Sequence, residues 1–157
     1  MTTGEGLVAA FRIVKQRHAG TAFDGEGAAR AGGRWNSRGV RVVYACATKA
    51  LCALEILVHL PSTSQLAFVV FPLGIPPQAI HRLPQAKLPA DWRTMPPGRA
   101  TQQLGDAWVA SGTSAVLAVP SVLTGETNYL LNPAHPDFAR IQIGRRARFA
   151  LDPRLLG

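Results

Sequence analysis

Apolar residues fall along this chain in short runs of differing kind. Residues 7–14 are apolar around a single charge, Arg12, and predict a first strand. Residues 16–30 are rich in glycine, alanine and charge; they read as a loop with room for one helical turn. Val40, Val42, Val43 and Tyr44 then predict a second strand over 40–44. The next stretch is apolar almost all round. Thr48 suits its N-cap, the helix is expected over 51–60, and Pro61 stops it. Residues 62–64 read as a turn, and the continuous apolar run 66–73 as a buried strand. Further strands are expected at 80–83, 115–119 and 128–131, with a final one within 138–149. A second helix is expected over 99–111, with Leu104, Trp108 and Val109 as its apolar stripe and Gly112 as its stop. Short strands with two helices in scattered order indicate an α+β fold, one compact domain spanning 1–157 with a mixed sheet at its core. Seven of the twelve prolines fall in residues 72–97, so most of that segment is expected to be irregular, with a polar and aromatic knot at Asp91-Trp92-Arg93.

At 157 residues with 47% apolar residues, the chain can build a packed core. The formal charge is +8, and half of it lies in a basic tail, 140–157, where five arginines face one acid. Such a balance suits a polyanion, an acidic protein or a phosphorylated small molecule, and equally a solvated basic surface. Against a nucleic-acid-binding module there is no helix-turn-helix, RNP-type or zinc-finger pattern. Cys46 and Cys52 are too few for a disulfide framework and are expected as buried thiols, which fits the cytoplasm. Neither a signal-peptide pattern nor an apolar run of membrane-spanning length stands out. His18, His59, His81 and His135 are scattered without metal-ligand spacing, so no metal is expected. The pairs Gly4/Gly6 and Gly25/Gly27 lack the context of a phosphate loop, and Ser121 lies in no nucleophile elbow.

Three residues carry candidate chemistry. Glu55 is flanked by Leu51, Leu54, Ile56, Leu57 and Val58. An acid in such a helix must be answered by a cation or by hydrogen bonds, and perturbed carboxylates concentrate at catalytic clefts; the plainer reading is a salt-bridged acid at a helix edge. Arg34, between Gly33 and Trp35, offers a planar fork for phosphate or carboxylate, or is a solvated loop arginine. Tyr44 at a strand end is either core or an aromatic wall for a ring. The three are expected to share one cleft. Downstream, turn chemistry accounts for most of 120–138 but leaves Ser121 and Asn128 unexplained.

In order, the chain carries Phe11-Arg12, Gly32-Gly33-Arg34-Trp35-Asn36, Val42-Val43-Tyr44-Ala45, and Ala53-Leu54-Glu55-Ile56-Leu57-Val58-His59. Then come Val119-Pro120-Ser121-Val122 and a segment from Asn128 to Phe138 that includes Asn132-Pro133 and His135-Pro136-Asp137. Together these resemble the RES domain, the toxin half of Xre–RES toxin–antitoxin modules, across a core of about 11–149. The family is named for an arginine, a glutamate and a serine, which correspond here to Arg34, Glu55 and Ser121, with Arg12 a second candidate arginine. The resemblance implies an ADP-ribosyltransferase-like fold and cleavage of NAD at the nicotinamide–ribose bond. Phosphorolysis with inorganic phosphate, hydrolysis, and transfer of ADP-ribose to a protein all remain open. It further implies an Xre-type helix-turn-helix antitoxin as partner and NAD as substrate rather than resident cofactor. A homodimer is possible on charge alone; neither a membrane nor direct contact with nucleic acid is expected. By that resemblance Glu55 would stabilise an oxocarbenium-like centre and bond the ribose. Arg34, with or without Arg12, would grip the pyrophosphate. Tyr44 would wall the nicotinamide, and Ser121 and Asn128 would orient the substrate.

Overall fold

The computed structural model describes residues 6–60 and 67–156. Eight strands form one mixed sheet: β1 (Val8–Lys15), β2 (Val43–Cys46), β3 (Ala67–Ile75), β4 (Ile80–Arg82), β5 (Val116–Pro120), β6 (Thr127–Leu131), β7 (Gln142–Ile143) and β8 (Ala147–Ala150). Their order is β4-β5-β6-β2-β1-β3-β7, with β8 also on β3. Among the described residues only β4 and β5 run parallel. Among the described residues three α-helices, α1 (Glu26–Ala31), α2 (Lys49–Leu57) and α3 (Arg99–Ser111), complete the α+β architecture expected from the sequence.

Strand alternation splits the sheet's side chains into two layers. One face buries Ala10, Val43, Phe71, Val116 and Leu131, closed over by Phe23 and Phe138. On the other face two clusters lie side by side. Leu51 and Cys52 of α2 pack on Ile13, Phe68 and Val70. Trp108 of α3 packs with Trp35 on Leu117, Val119 and Leu130. No helix among the described residues is long and apolar enough to cross a membrane.

The sheet is nearly two. β1 pairs with β3 over eight positions, from Val8↔Ile75 to Lys15↔Phe68, but meets β2 only at Phe11↔Cys46. Where the ladder stops, the Arg12 guanidinium takes its place. Nη1 donates to the Tyr44 carbonyl of β2 at 2.7 Å, and Nε donates to the Ala22 carbonyl at 2.6 Å. A backbone carbonyl left unpaired inside a fold costs about 1–3 kcal/mol, and Arg12 removes that cost. Burial pushes this guanidinium down to about 10, so it stays charged at neutral pH.

Several elements shift from their expected bounds. β2 begins at Val43, not residue 40, because the preceding residues are held in turns: Val40 donates to the Ser37 carbonyl and Gly39 to that of Ala29. The 16–30 loop holds a 3-10 turn, Gln16–Thr21, and α1, whose start is set by the Asp24 carboxylate accepting from the Glu26 amide at 2.8 Å. Thr48 does cap α2, accepting from Leu51 N at 3.1 Å. The helix ends at Leu57, where His59 and Leu60 bond three residues back, ahead of Pro61. The turn expected at 62–64 lies outside the described residues. The final strand is split into β7 and β8. Opposite their break lies Pro72 in β3, which has no amide to donate; its carbonyl accepts from Gly144 at 2.7 Å.

Candidate functional site

Glu55 sits on the inner side of α2, half-buried, facing the ends of β5 and β6. Its two carboxylate oxygens are answered separately. Ser121 Oγ donates to Oε1 and Asn128 Nδ2 donates to Oε2, each at 3.3 Å. The charge that the apolar helix must accommodate is thus met by two neutral donors; among the described residues no cation lies within ion-pair distance of it. Both donors are placed by the sheet. Asn128 pairs with Cys46 on one side and Val119 on the other. Ser121 follows β5 and is fully buried. Its amide donates to Glu126 O at 2.7 Å, its carbonyl accepts from Gly125 N, and its hydroxyl accepts from Leu123 N at 3.1 Å. The proton of that hydroxyl is thus directed at Glu55 while one lone pair is held by Leu123 N. Asn128 Oδ1 is buried without a hydrogen-bond partner among the described residues. An orphan acceptor beside the carboxylate leaves room for one more donor at this wall.

A cavity of about 620 Å³ opens where β1 and β2 part, within the size range of small-molecule sites. Glu55, Asn128, Tyr44 and Arg12 line it, as do Cys46 and Cys52. Lys15, His18, Arg30 and His59 add basic or titratable groups to its walls.

Tyr44 is fixed in that wall by its hydroxyl, which donates to Asn36 Oδ1 at 2.6 Å and accepts from Trp35 N at 3.2 Å. Burial pushes its phenol well above the usual range. Gly33 lies against the same group: a Cβ there would stand 2.7 Å from the Tyr44 hydroxyl oxygen, so the close approach requires glycine. Asn36, completely buried, donates to the carbonyls of Ala28, Ser37 and Val40. It ties the 32–42 segment into one body with Tyr44.

The structure brings Glu55, Asn128, Tyr44 and Arg12 together on the cavity wall, with Ser121 behind it on Glu55, but Arg34 does not line the cavity. Its Nη1 donates to the carbonyls of Trp92 and Thr94, at 2.8 and 3.0 Å, and its Nη2 lies 2.6 Å from Met95 Sδ. Burial lowers its affinity for a proton, while the negative charge of Glu55 opposes that shift, so the two groups feel each other without forming an ion pair. Sequence reasoning assigns no role to Asn36, Gln102 or Asp106. Gln102 donates to Gly33 O at 3.0 Å, and Asp106 accepts from Ser37 N at 2.9 Å and Ser37 Oγ at 2.5 Å. Both lie on the polar side of α3's apolar stripe, which was their only available signal. Asn36 stood within the quoted motif, where its burial was not visible.

The sequence profile of the RES domain matches residues 9–152. Over 139 residues the chain is 39% identical to the Prs ADP-ribosylating toxin of Sphingobium sp. (strain YBL2), covering 85% of this chain and 86% of that protein. Over 148 residues it is 37% identical to Toxin Res of Yersinia enterocolitica serotype O:8, covering 92% and 97%. Among solved structures, a chain of the M. tuberculosis MbcT–MbcA toxin–antitoxin complex superposes with a TM-score of 0.72 at 18% identity, covering 96% of this chain and 87% of that one. That likeness establishes the shared fold.

Proposed function

This chain belongs to the RES domain family, and from that premise we propose that it is the toxin of a toxin–antitoxin module that consumes NAD. The observation that carries this reading is the Glu55 carboxylate, held on both oxygens by Ser121 and Asn128 at the wall of the 620 Å³ cavity. Breaking the bond between ribose C1′ and the nicotinamide nitrogen sends the bonding electrons out with nicotinamide. Positive charge then builds on C1′ and the ring oxygen. A preorganised carboxylate lowers the energy of that state without having to reorganise. Neutral nicotinamide leaves without being protonated, so the step needs no general acid.

Other side chains divide the binding. Arg12 already stands on the cavity wall, and its Nη2 has no hydrogen-bond partner among the described residues, so it takes the pyrophosphate. Arg34 contributes only if it releases the 92–95 carbonyls. Tyr44, locked by Asn36, walls the leaving ring. The orphan Asn128 Oδ1 accepts from a ribose hydroxyl that Glu55 also contacts. The partner is an antitoxin, a reading supported by the toxin–antitoxin complex among the solved structures of the same fold; its small helix-turn-helix, Xre-type nature is what the family resemblance implies.

The acceptor of ADP-ribose is phosphate or water in the first reading. In the second it is a protein, supported by the Sphingobium relative's name as an ADP-ribosylating toxin. Purified protein is incubated with NAD, with and without inorganic phosphate, and products are resolved by chromatography. Nicotinamide release that depends on phosphate establishes phosphorolysis; release without it, hydrolysis. A protein band labelled by biotinylated NAD in a cell extract establishes transfer. A folded, antitoxin-free chain that neither releases nicotinamide nor labels protein contradicts the proposal.

A further inference from the structure

A second cavity, of about 340 Å³, shares no wall residue with the first. It lies between the outer strands β4 and β5, the turn joining β5 to β6, and the proline-rich segment. Arg82 comes from β4, Trp92 and Arg93 from the proline-rich segment, Gly125 from the turn and Thr127 from the start of β6. Among the described residues no acidic one lines it. Neither arginine forms an ion pair or a side-chain hydrogen bond among the described residues; Arg93 lies only against the Trp92 ring, 4.7 Å from its centroid. Two uncompensated guanidinium groups around one small concavity raise the local potential and favour an anion there. Free arginine forks match the oxygens of a phosphate bidentately, and stacking on an indole leaves a guanidinium's in-plane donors available.

We propose that this cavity binds a phosphate monoester. Such a group carries about −1.5 to −2 charges at neutral pH, which matches two arginines better than a single carboxylate does. The volume fits a small molecule rather than a polymer, and the Trp92 ring offers an apolar plane to whatever the phosphate carries. The site is separate from the Glu55 wall, and the inference does not rest on cleavage of NAD. Its walls nevertheless adjoin the segments that hold that wall. The Trp92 carbonyl accepts from Arg34, and Pro120, which lines the second cavity, precedes Ser121.

The test is a titration of the ¹⁵N-labelled full chain at constant ionic strength, separately with inorganic phosphate and with adenosine 5′-monophosphate, followed by amide and indole chemical shifts. Saturable shifts at Arg82, Arg93, Thr127 and the Trp92 indole are expected. They should weaken at least about tenfold in an Arg82→Gln/Arg93→Gln double variant whose remaining spectrum is unchanged. Equal affinities for the two probes assign the site to the phosphate alone; tighter binding of the nucleotide assigns Trp92 to its base. Shifts confined to the surroundings of Glu55, no saturation by either probe, or unchanged affinity in the double variant overturn the proposal. None of these results bears on nicotinamide release, which is read independently.

Discussion

Glu55 in the middle of α2 is the residue on which the functional account turns. Its oddity was legible in the sequence: a lone carboxylate among leucines must be answered by something. What answers it was not. Ser121 and Asn128 lie 66 and 73 positions away, and only the register of β5, β6 and β2 brings them to it. Ser121→Ala removes one donor and leaves Leu123 N without its acceptor, so kcat is expected to fall about tenfold with KM little changed, as befits one positioning hydrogen bond. A raised KM with unchanged kcat would place Ser121 in substrate binding instead. For the arginines, Arg12→Gln should raise KM at least about tenfold and Arg34→Ala less, read from initial rates of NAD loss. The reverse order would return the pyrophosphate to Arg34. The thiols make a separate prediction. A hydrogen bond with Cys52, then burial, pushes the Cys46 thiol far above its usual 9.0. Cys46 therefore stays protonated in the fold while the unfolded chain loses that proton above about pH 9. The folded state binds more protons there, so stability falls as pH rises, by at most about 1.4 kcal/mol per pH unit for this group. Chemical denaturation between pH 8 and 10 should show that slope in the wild type and a flatter one in Cys46→Ala. Equal slopes would contradict it.

At the scale of elements, the strong local signals read true. Thr48 caps α2, the continuous apolar run became the long inner strand β3, and α3 runs from Arg99 to Ser111. Misreadings arose where a tertiary contact outweighed local preference. Val40 has a strand-like side chain, yet Asn36 and the turn at Ser37 hold its backbone away from the sheet. Pro72 sits inside a strand flanked on both sides, a position proline usually avoids, because the neighbouring strand breaks beside it. Gly105 is the corresponding case in a helix, where glycine costs about 1 kcal/mol relative to alanine. A Cβ there would stand 1.6 Å from the Trp35 carbonyl oxygen, so α3 crosses the 32–42 segment too closely for any side chain. Gly105→Ala should accordingly destabilise the protein by about 2 kcal/mol or more, despite alanine's better helix propensity, measured as a lowered Tm and denaturation midpoint. A neutral or stabilising result would mean that α3 does not seat against Trp35 as described.

For the whole molecule, the near-division of the sheet between β1 and β2 matters most. One paired position joins two half-sheets, Arg12 bridges the gap, and the cavity opens there with the Glu55 wall on one side. The α+β class was visible from the order of runs, and the family from ordered motifs. The cleft was not, because it is made by backbone pairs that fail to form. Tyr44 and Glu55 were expected to share it and do. Arg34, the third of that set, is turned to the proline-rich segment, which had no readable role before its carbonyls were seen to hold that guanidinium. The most direct test of the central claim compares nicotinamide release from NAD by the wild type and by Glu55→Gln, with thermal unfolding of both followed in parallel. Glutamine keeps the size and the hydrogen-bonding reach but not the charge. Release should therefore fall by at least about a hundredfold while Tm stays close to that of the wild type. A folded Glu55→Gln protein that released nicotinamide at near wild-type rates would remove Glu55 from the chemistry and contradict the account.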